Sequence, residues 1–465
     1  MPGHRFRHVG LALLGALGGA TTPVSAHVGS LSESGATGSV PAWLTVLTGG
    51  GIVGVSFLFT SLWTDHDDIR AVGSWRFPVR IPQQLRRAVS SVLRLASLII
   101  LGLILVFGLR GPTQPLQNLA ILLVWAGWWV AYTISVYLVV DSWPVLNPWR
   151  TLARFFERPT RRAYPERLGS WPAVVGLLAL IVVEVVSPVA ENPRALAVAI
   201  TLYSVVTLAG ARRYGSKTWF ARADPVGRVF RCYGRLAVGQ RHRSGLSLTL
   251  PGSGLIQSSS ASENTPTAAQ DARFVVALVW VSTYDGLVST PAWRTFLAPF
   301  VERGVPAVLL YLLAMLAGYA LFLGSYRFAT SKIREHSETY VSTDAIRSAF
   351  APSLVPIAAG YHLAHVLGYL LGLWPSLIAV LQQPLNPPET VTVLVAPSWF
   401  PGLLLAFVVL GHLLAVWVAH AIANELFPGR IQPVRSQLPL VVLMVAYTSV
   451  SFWIVGQPSS PPPYL

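Results

Sequence analysis

The sequence predicts an all-α polytopic integral membrane protein, and three observations carry that prediction. Only 11% of the 465 residues are charged, 53% are hydrophobic, and the mean hydropathy is +0.55; a soluble domain carries about 25% charged residues. Ten apolar segments recur along the chain, most near the ~20 residues needed to cross a hydrocarbon core. The basic residues fall into alternate connections between those segments. Together these features exclude an ordinary soluble enzyme, a disordered regulator and a nucleic-acid binder built on a soluble fold. The partner they imply is the lipid bilayer, and the net charge of +15 reads as membrane topology rather than as affinity for nucleic acid.

The first 26 residues read as a secretory signal peptide. His4-Arg5-Phe6-Arg7-His8 is a basic start, Val9 to Ala20 is short and apolar, and Val24-Ser25-Ala26 has small residues at cleavage-site spacing. Cleavage after Ala26 would start the mature chain at His27, outside the cytoplasm. An N-terminal His offers an amino and an imidazole nitrogen together, a set suited to Cu(II), so His27 is a candidate outer ligand. The rest, 27–465, reads as one transmembrane domain.

The ten segments lie near 43–63, 89–109, 117–140, 172–190, 195–211, 274–290, 305–324, 353–374, 401–422 and 437–456. With the mature N-terminus outside, the connections 64–88, 141–171, 212–273, 325–352 and 423–437 face inward. They carry 27 Lys and Arg, against 4 (Arg110, Arg194, Arg294 and Arg303) in the outward connections. That is the asymmetry expected of a multi-pass protein of the plasma membrane with its basic loops in the cytoplasm. In the longest inward connection the first half is basic. The Ser/Thr/Gly-rich stretch from Ser244 to Gln270 predicts a flexible loop. No Walker, G-x-S-x-G or H-E-x-x-H motif occurs, and the single Cys232 excludes a disulfide or a Cys-based metal site within one chain.

Ionisable residues inside spans are costly and point to function. The eighth segment contains His362 and His365, and the ninth contains His412 and His420. At 1.5 Å per residue, His362 lies ~14 Å and His365 ~18 Å from the inner end of their segment, and His412 ~15 Å from the inner end of its own. His362 and His412 therefore share a level, while His420 sits near the inner surface. Gly360, Ala364, Gly368 and Gly372 form one small-residue stripe, and Gly411, Ala415, Ala419 and Ala423 another. Such stripes let helices approach closely, which predicts a seam with imidazoles at or near it. His362, His365 and His412 are thus candidate ligands for copper or zinc. The same imidazoles suit a proton path or a quinone, or haem ligation, although close packing leaves little room for a macrocycle. Glu184 in the fourth segment and Asp285 near the outer end of the sixth are further intramembrane polar residues. Copper binding or transport is the leading expectation.

Asp141-Ser142-Trp143-Pro144 to Arg150, at the inner end of the third segment, and Tyr164-Pro165-Glu166-Arg167-Leu168-Gly169, entering the fourth, suggest a structured inner platform. The chain also resembles a family of multi-pass proteins of actinobacteria and archaea labelled fenitrothion hydrolase. The resemblance rests on Ala26-His27, on Asn147-Pro148-Trp149-Arg150-Thr151-Leu152, on Tyr164 to Gly169, and on Ser353-Leu354-Val355-Pro356-Ile357 followed by His362 and His365. It implies an integral membrane protein linked to organophosphate ester hydrolysis, and it assigns no catalytic residues.

Overall fold

The computed structural model describes residues 42–156, 162–242, 245–259, 270–337, 339–390, 394–458 and 460–465. The signal-peptide region and His27 lie outside them. Among the described residues seven helices are long and apolar enough to cross a membrane, and nine if each of two bent helix pairs counts as one span. The protein is therefore a multi-span helical membrane protein.

In chain order the principal helices are α1 (Ala42–Ser61), α2 (His66–Ser74), α3 (Gln83–Arg110), α4 (Leu119–Leu138), α5 (Trp171–Val186), α6 (Pro193–Tyr214), α7 (Ser216–Arg222), α8 (Pro225–Tyr233), α9 (Ala272–Val288), α10 (Pro291–Val301), α11 (Ala307–His336), α12 (Val355–Gln382), α13 (Phe400–Leu426) and α14 (Gln432–Val455). The bent pairs are α1 with α2, at 114°, and α9 with α10, at 77°. Helix α5 has 16 residues, so it rises about 24 Å, short of a full hydrocarbon core. Its start is set by Pro172, which lacks an amide proton and is tolerated in the first turn. Proline likewise opens α6, α8 and α10.

The connections segregate to two faces. On the basic face, β1 (Arg76–Val79) pairs antiparallel with β3 (Gly245–Thr249), which pairs with β2 (Gly239–His242). The Arg162 amide donates to the Arg213 carbonyl at 3.1 Å. His66 reaches the carbonyls of Asn424 (2.9 Å) and Gly429 (2.8 Å), and Tyr326 donates to the Arg347 carbonyl at 2.7 Å. On the opposite face Gln117 donates to the Glu389 carbonyl at 3.0 Å. There the Ser460 amide also donates to the Ser289 carbonyl at 2.8 Å, and Tyr311 to the Pro463 carbonyl at 3.0 Å. The Arg162–Arg213 and His66 contacts join separate connections that the charge pattern assigns to one side, and the Gln117, Ser289 and Tyr311 contacts tie the outer ends of segments to the outward connection and tail.

The 212–273 connection is structured where it is described, and residues 260–269 of its Ser/Thr/Gly-rich stretch lie outside the described residues. Its described part folds into α7, α8, the β2–β3 hairpin and a short helix, Ser253–Ser259. Helix α8 is buried from Pro225 to Phe230. Fully buried Asp224 caps it, accepting from the Gly227 amide at 2.9 Å and from the Tyr203 hydroxyl. Removal from water pushes the Asp224 carboxyl up to about 6. Asp141, which accepts from the Trp143 amide at 3.0 Å, is likewise pushed by burial up to about 6. Asn147 caps Pro148–Ala153, and Trp149 donates to the Ser204 hydroxyl at 2.7 Å. These contacts build the structured platform that the Trp- and Pro-rich segments suggest.

Candidate functional site

The small-residue stripes do bring α12 and α13 together. A Cβ on Gly360 would lie 2.9 Å from the Gly411 Cα, and one on Gly411 would lie 2.6 Å from the Pro356 carbonyl oxygen. The seam nevertheless does not gather the histidines. Each residue advances 100° around a helix, so His362 points about 200° and His365 about 140° away from Gly360. His362 turns to the aromatic rings of α4 and α8. It packs edge-on against Trp129 and Tyr137 with centroids 6.0 Å apart, lies 6.0 Å from the Tyr233 ring, and has Nδ1 3.5 Å from the Tyr137 hydroxyl. His412 stays on its own helix, with Nδ1 donating to the Val408 carbonyl at 2.8 Å. His362 and His412 thus have separate partners. Among the described residues no three of His, Cys, Asp and Glu come together in a way that could hold a metal ion.

His420 is a structural tie. Nε2 donates to the Trp63 carbonyl at 2.8 Å and Nδ1 accepts from the Gln437 amide at 3.2 Å, joining α13 to α14 and to the end of α1. His66, which the sequence reading passed over, clamps the start of α2 to the end of α13.

His365 has a different partner. Its Nε2 lies 3.1 Å from Asp285 Oδ2, within ion-pair distance, and joins α12 to α9. The Tyr361 ring stacks on the imidazole, with centroids 6.0 Å apart and planes at 17°. Tyr361 can lie there because Gly286 has no side chain, and any Cβ at that position would collide with its hydroxyl. Glu184, buried on α5, lies within charge–charge range of Asp285. Asp285 and Glu184 each lie 13 residues into their helices, about 20 Å along the axis, so both carboxyls sit at one depth. His362 and His365, one turn apart, share a small cavity of about 30 Å³ with Asp285 and Tyr233.

Beside this polar cluster lies the larger cavity, about 410 Å³. Its wall is aliphatic and aromatic, with Trp125, Trp128, Trp129, Tyr132, Trp143 and Trp149 on it, and among the described residues Glu184 is the only carboxyl that lines it. Its lining residues Ile100, Leu180 and Val183 are exposed on the flank of the bundle, so the cavity reaches the lipid side. Much of the wall comes from the middle of α4, where Leu123–Tyr132 is a ten-residue π-helix. The wider π turn shifts side-chain phase relative to an α-helix and is frequent at functional sites. Here it directs Trp128 toward Trp143 and Phe230 (centroids 5.9 and 5.7 Å) and Trp129 toward His362. Trp129, Leu177, Ile181 and Val229 line both cavities and form the partition between them. The sequence signal for this site was the run of tryptophans at 125, 128 and 129 in the third segment.

The chain matches no family model, no curated protein and no solved structure.

Proposed function

We propose that the protein takes a lipophilic cation or a protonatable amphiphile from the bilayer into the aromatic cavity and exchanges it for a proton held among Glu184, Asp285 and His365. The observation that carries this reading is the position of Glu184. It is the one carboxyl on an otherwise apolar, Trp-lined wall, and it lies within charge range of the Asp285–His365 pair. Indole faces attract cations through the ring quadrupole, more strongly when desolvated. A buried carboxyl supplies the counter-charge for such a cation, and in its absence is neutralised by a proton. Ionisable side chains within spans commonly form ion or proton paths.

Transition-metal binding receives less support. His362 is surrounded by Trp129, Tyr137 and Tyr233, His365 is taken up by Asp285, and His412 is bonded to its own helix. The large cavity carries no histidine among its lining residues, so a haem there would lack an axial imidazole. A membrane-bound hydrolase is a second reading, favoured by one observation. His365 oriented by Asp285 is the base-and-orienter half of a water-activating site, close to a cavity suited to an apolar ester. The 27-to-4 distribution of basic residues supports an orientation with the basic face in the cytoplasm and a plasma-membrane location.

The direct test is tryptophan fluorescence of the purified protein titrated with tetraphenylphosphonium. Saturable quenching that weakens as pH falls, and is lost in Glu184→Gln with the fold intact, is expected. Quenching that is the same in wild type and Glu184→Gln would refute cation–proton exchange at this carboxyl. Turnover of a neutral phosphotriester, lost in His365→Gln, would instead favour the hydrolase reading.

A further inference from the structure

On the basic face, away from the aromatic cavity, the helices α5 and α9 begin side by side. The Arg273 guanidinium at the start of α9 lies 5.5 Å over the ring of Trp171, the first residue of α5. Between these helix starts and the inner end of α11 lies a polar cavity of about 590 Å³. Five guanidiniums line it, those of Arg222, Arg228, Arg273, Arg327 and Arg347, against three carboxyls, Glu166, Asp271 and Asp344.

The carboxyls do not balance the guanidiniums. Asp271 pairs with Arg228 at 2.9 Å and Arg273 at 3.4 Å, and Asp344 pairs with Arg347. Arg222, 5.9 Å over the Tyr164 ring, and Arg327 have no ion pair among the described residues. Three hydrogen-bonding groups in the wall are buried without partners, one of them the Arg347 Nε–H. Ser170, 3% exposed, has a free Oγ, and Arg228, 5% exposed, has a free Nε–H. Ser170 is also the N-cap of α5, and neither it nor Asp271, the N-cap of α9, caps its helix with a side-chain bond. The start of α9, a buried hydroxyl, two buried guanidinium N–H groups and an excess of Arg therefore converge on one space.

Helix starts attract anions through their free amides and dipole, and guanidinium forks match phosphate oxygens in geometry and charge. Basic pockets between helices at the cytoplasmic side of a membrane suit anionic headgroups. We propose that this cavity binds a phosphate oxyanion, carried either by an anionic lipid headgroup or as a free phosphate ion. Tyr164 to Gly169 then has a role: it forms the cavity edge with Glu166 and Gly169. Gly169 has φ +48°, and a Cβ there would press within 3.3 Å of the Arg273 guanidinium.

The test compares wild type with Arg222→Gln/Arg327→Gln, which removes two guanidiniums that hold no ion pair, and with Ser170→Ala, which removes one hydroxyl. Each is reconstituted in phosphatidylcholine nanodiscs and titrated with inorganic phosphate. Each is also analysed by native mass spectrometry after exposure to phosphatidylglycerol. Losing two charge-assisted contacts should weaken the affected ligand at least about tenfold, with a smaller loss for Ser170→Ala. A loss in the phosphate titration identifies the free ion, and a loss of retained phosphatidylglycerol alone identifies the headgroup. The proposal fails if neither ligand binds wild type, or if both bind the double variant as they bind wild type.

Discussion

His365 on α12 and Asp285 on α9 meet with Nε2 and Oδ2 3.1 Å apart, both side chains largely shielded from solvent. The pair joins two spans that are distant in sequence, and Tyr361, seated on Gly286, holds the imidazole from the other side. Residues sharing one polar contact are not energetically independent. Thermal unfolding of His365→Gln, Asp285→Asn and the double variant should therefore give a coupling of about 0.5–3 kcal/mol, with each single change costing most of what both cost together. Strict additivity would show that the contact contributes nothing.

Gly411 tests the helix seam. A Cβ there would lie 2.6 Å from the Pro356 carbonyl, whereas a Cβ on Gly102 of α3 meets nothing within 4 Å. Gly411→Ala should force α12 and α13 apart and lower the melting temperature, while Gly102→Ala should leave it unchanged or higher, as alanine favours helix over glycine. The comparison is read by thermal denaturation in detergent, and equal effects would contradict the seam.

The platform on the basic face should respond to pH through Asp224. Its folded carboxyl titrates near 6 against an ordinary 3.8, so the folded state holds this proton more tightly than the unfolded state. The stability it contributes is fully present below about 3.8 and is lost as pH rises through about 6. Asp141 acts in the same direction and over the same window. Asp224→Asn should flatten the fall in unfolding temperature between those values without abolishing it, since Asp141 remains. An unchanged slope would separate Asp224 from the effect.

Topology is checked by cysteine labelling in a Cys232→Ser background. An impermeant thiol reagent added to intact cells should modify a cysteine at exposed Gln383 and spare one at exposed Arg154. The reverse pattern would invert the orientation inferred from the charge distribution.

Helix positions and the seam were legible in the sequence because apolar length and small-residue spacing are local properties. The Gly360–Gly411 contact follows from stripes visible in the chain. The direction of the histidines was less legible. It needs the phase of each imidazole relative to that seam, and Gly360 to His362 turns the ring to the far side. The π-helix in α4 hides a further part, because side chains across Leu123–Tyr132 do not follow the 100° step on which periodicity arguments rest. Helix α8 was read as loop because its sequence is rich in Arg. Arg228 is nevertheless buried there, held by the Ala221 carbonyl and Asp271. The pairing of Asp285 with His365 joins residues 80 positions apart, which no local pattern encodes.

The central claim is that ligand and proton compete for the Glu184 carboxyl. The measurement that reaches it most directly is proton release, followed with a pH indicator in weakly buffered detergent solution while tetraphenylphosphonium is added. Wild type should release protons in proportion to the cation bound, and Glu184→Gln should release none. Binding of the cation by wild type without proton release, or release of equal size from Glu184→Gln, would contradict the account.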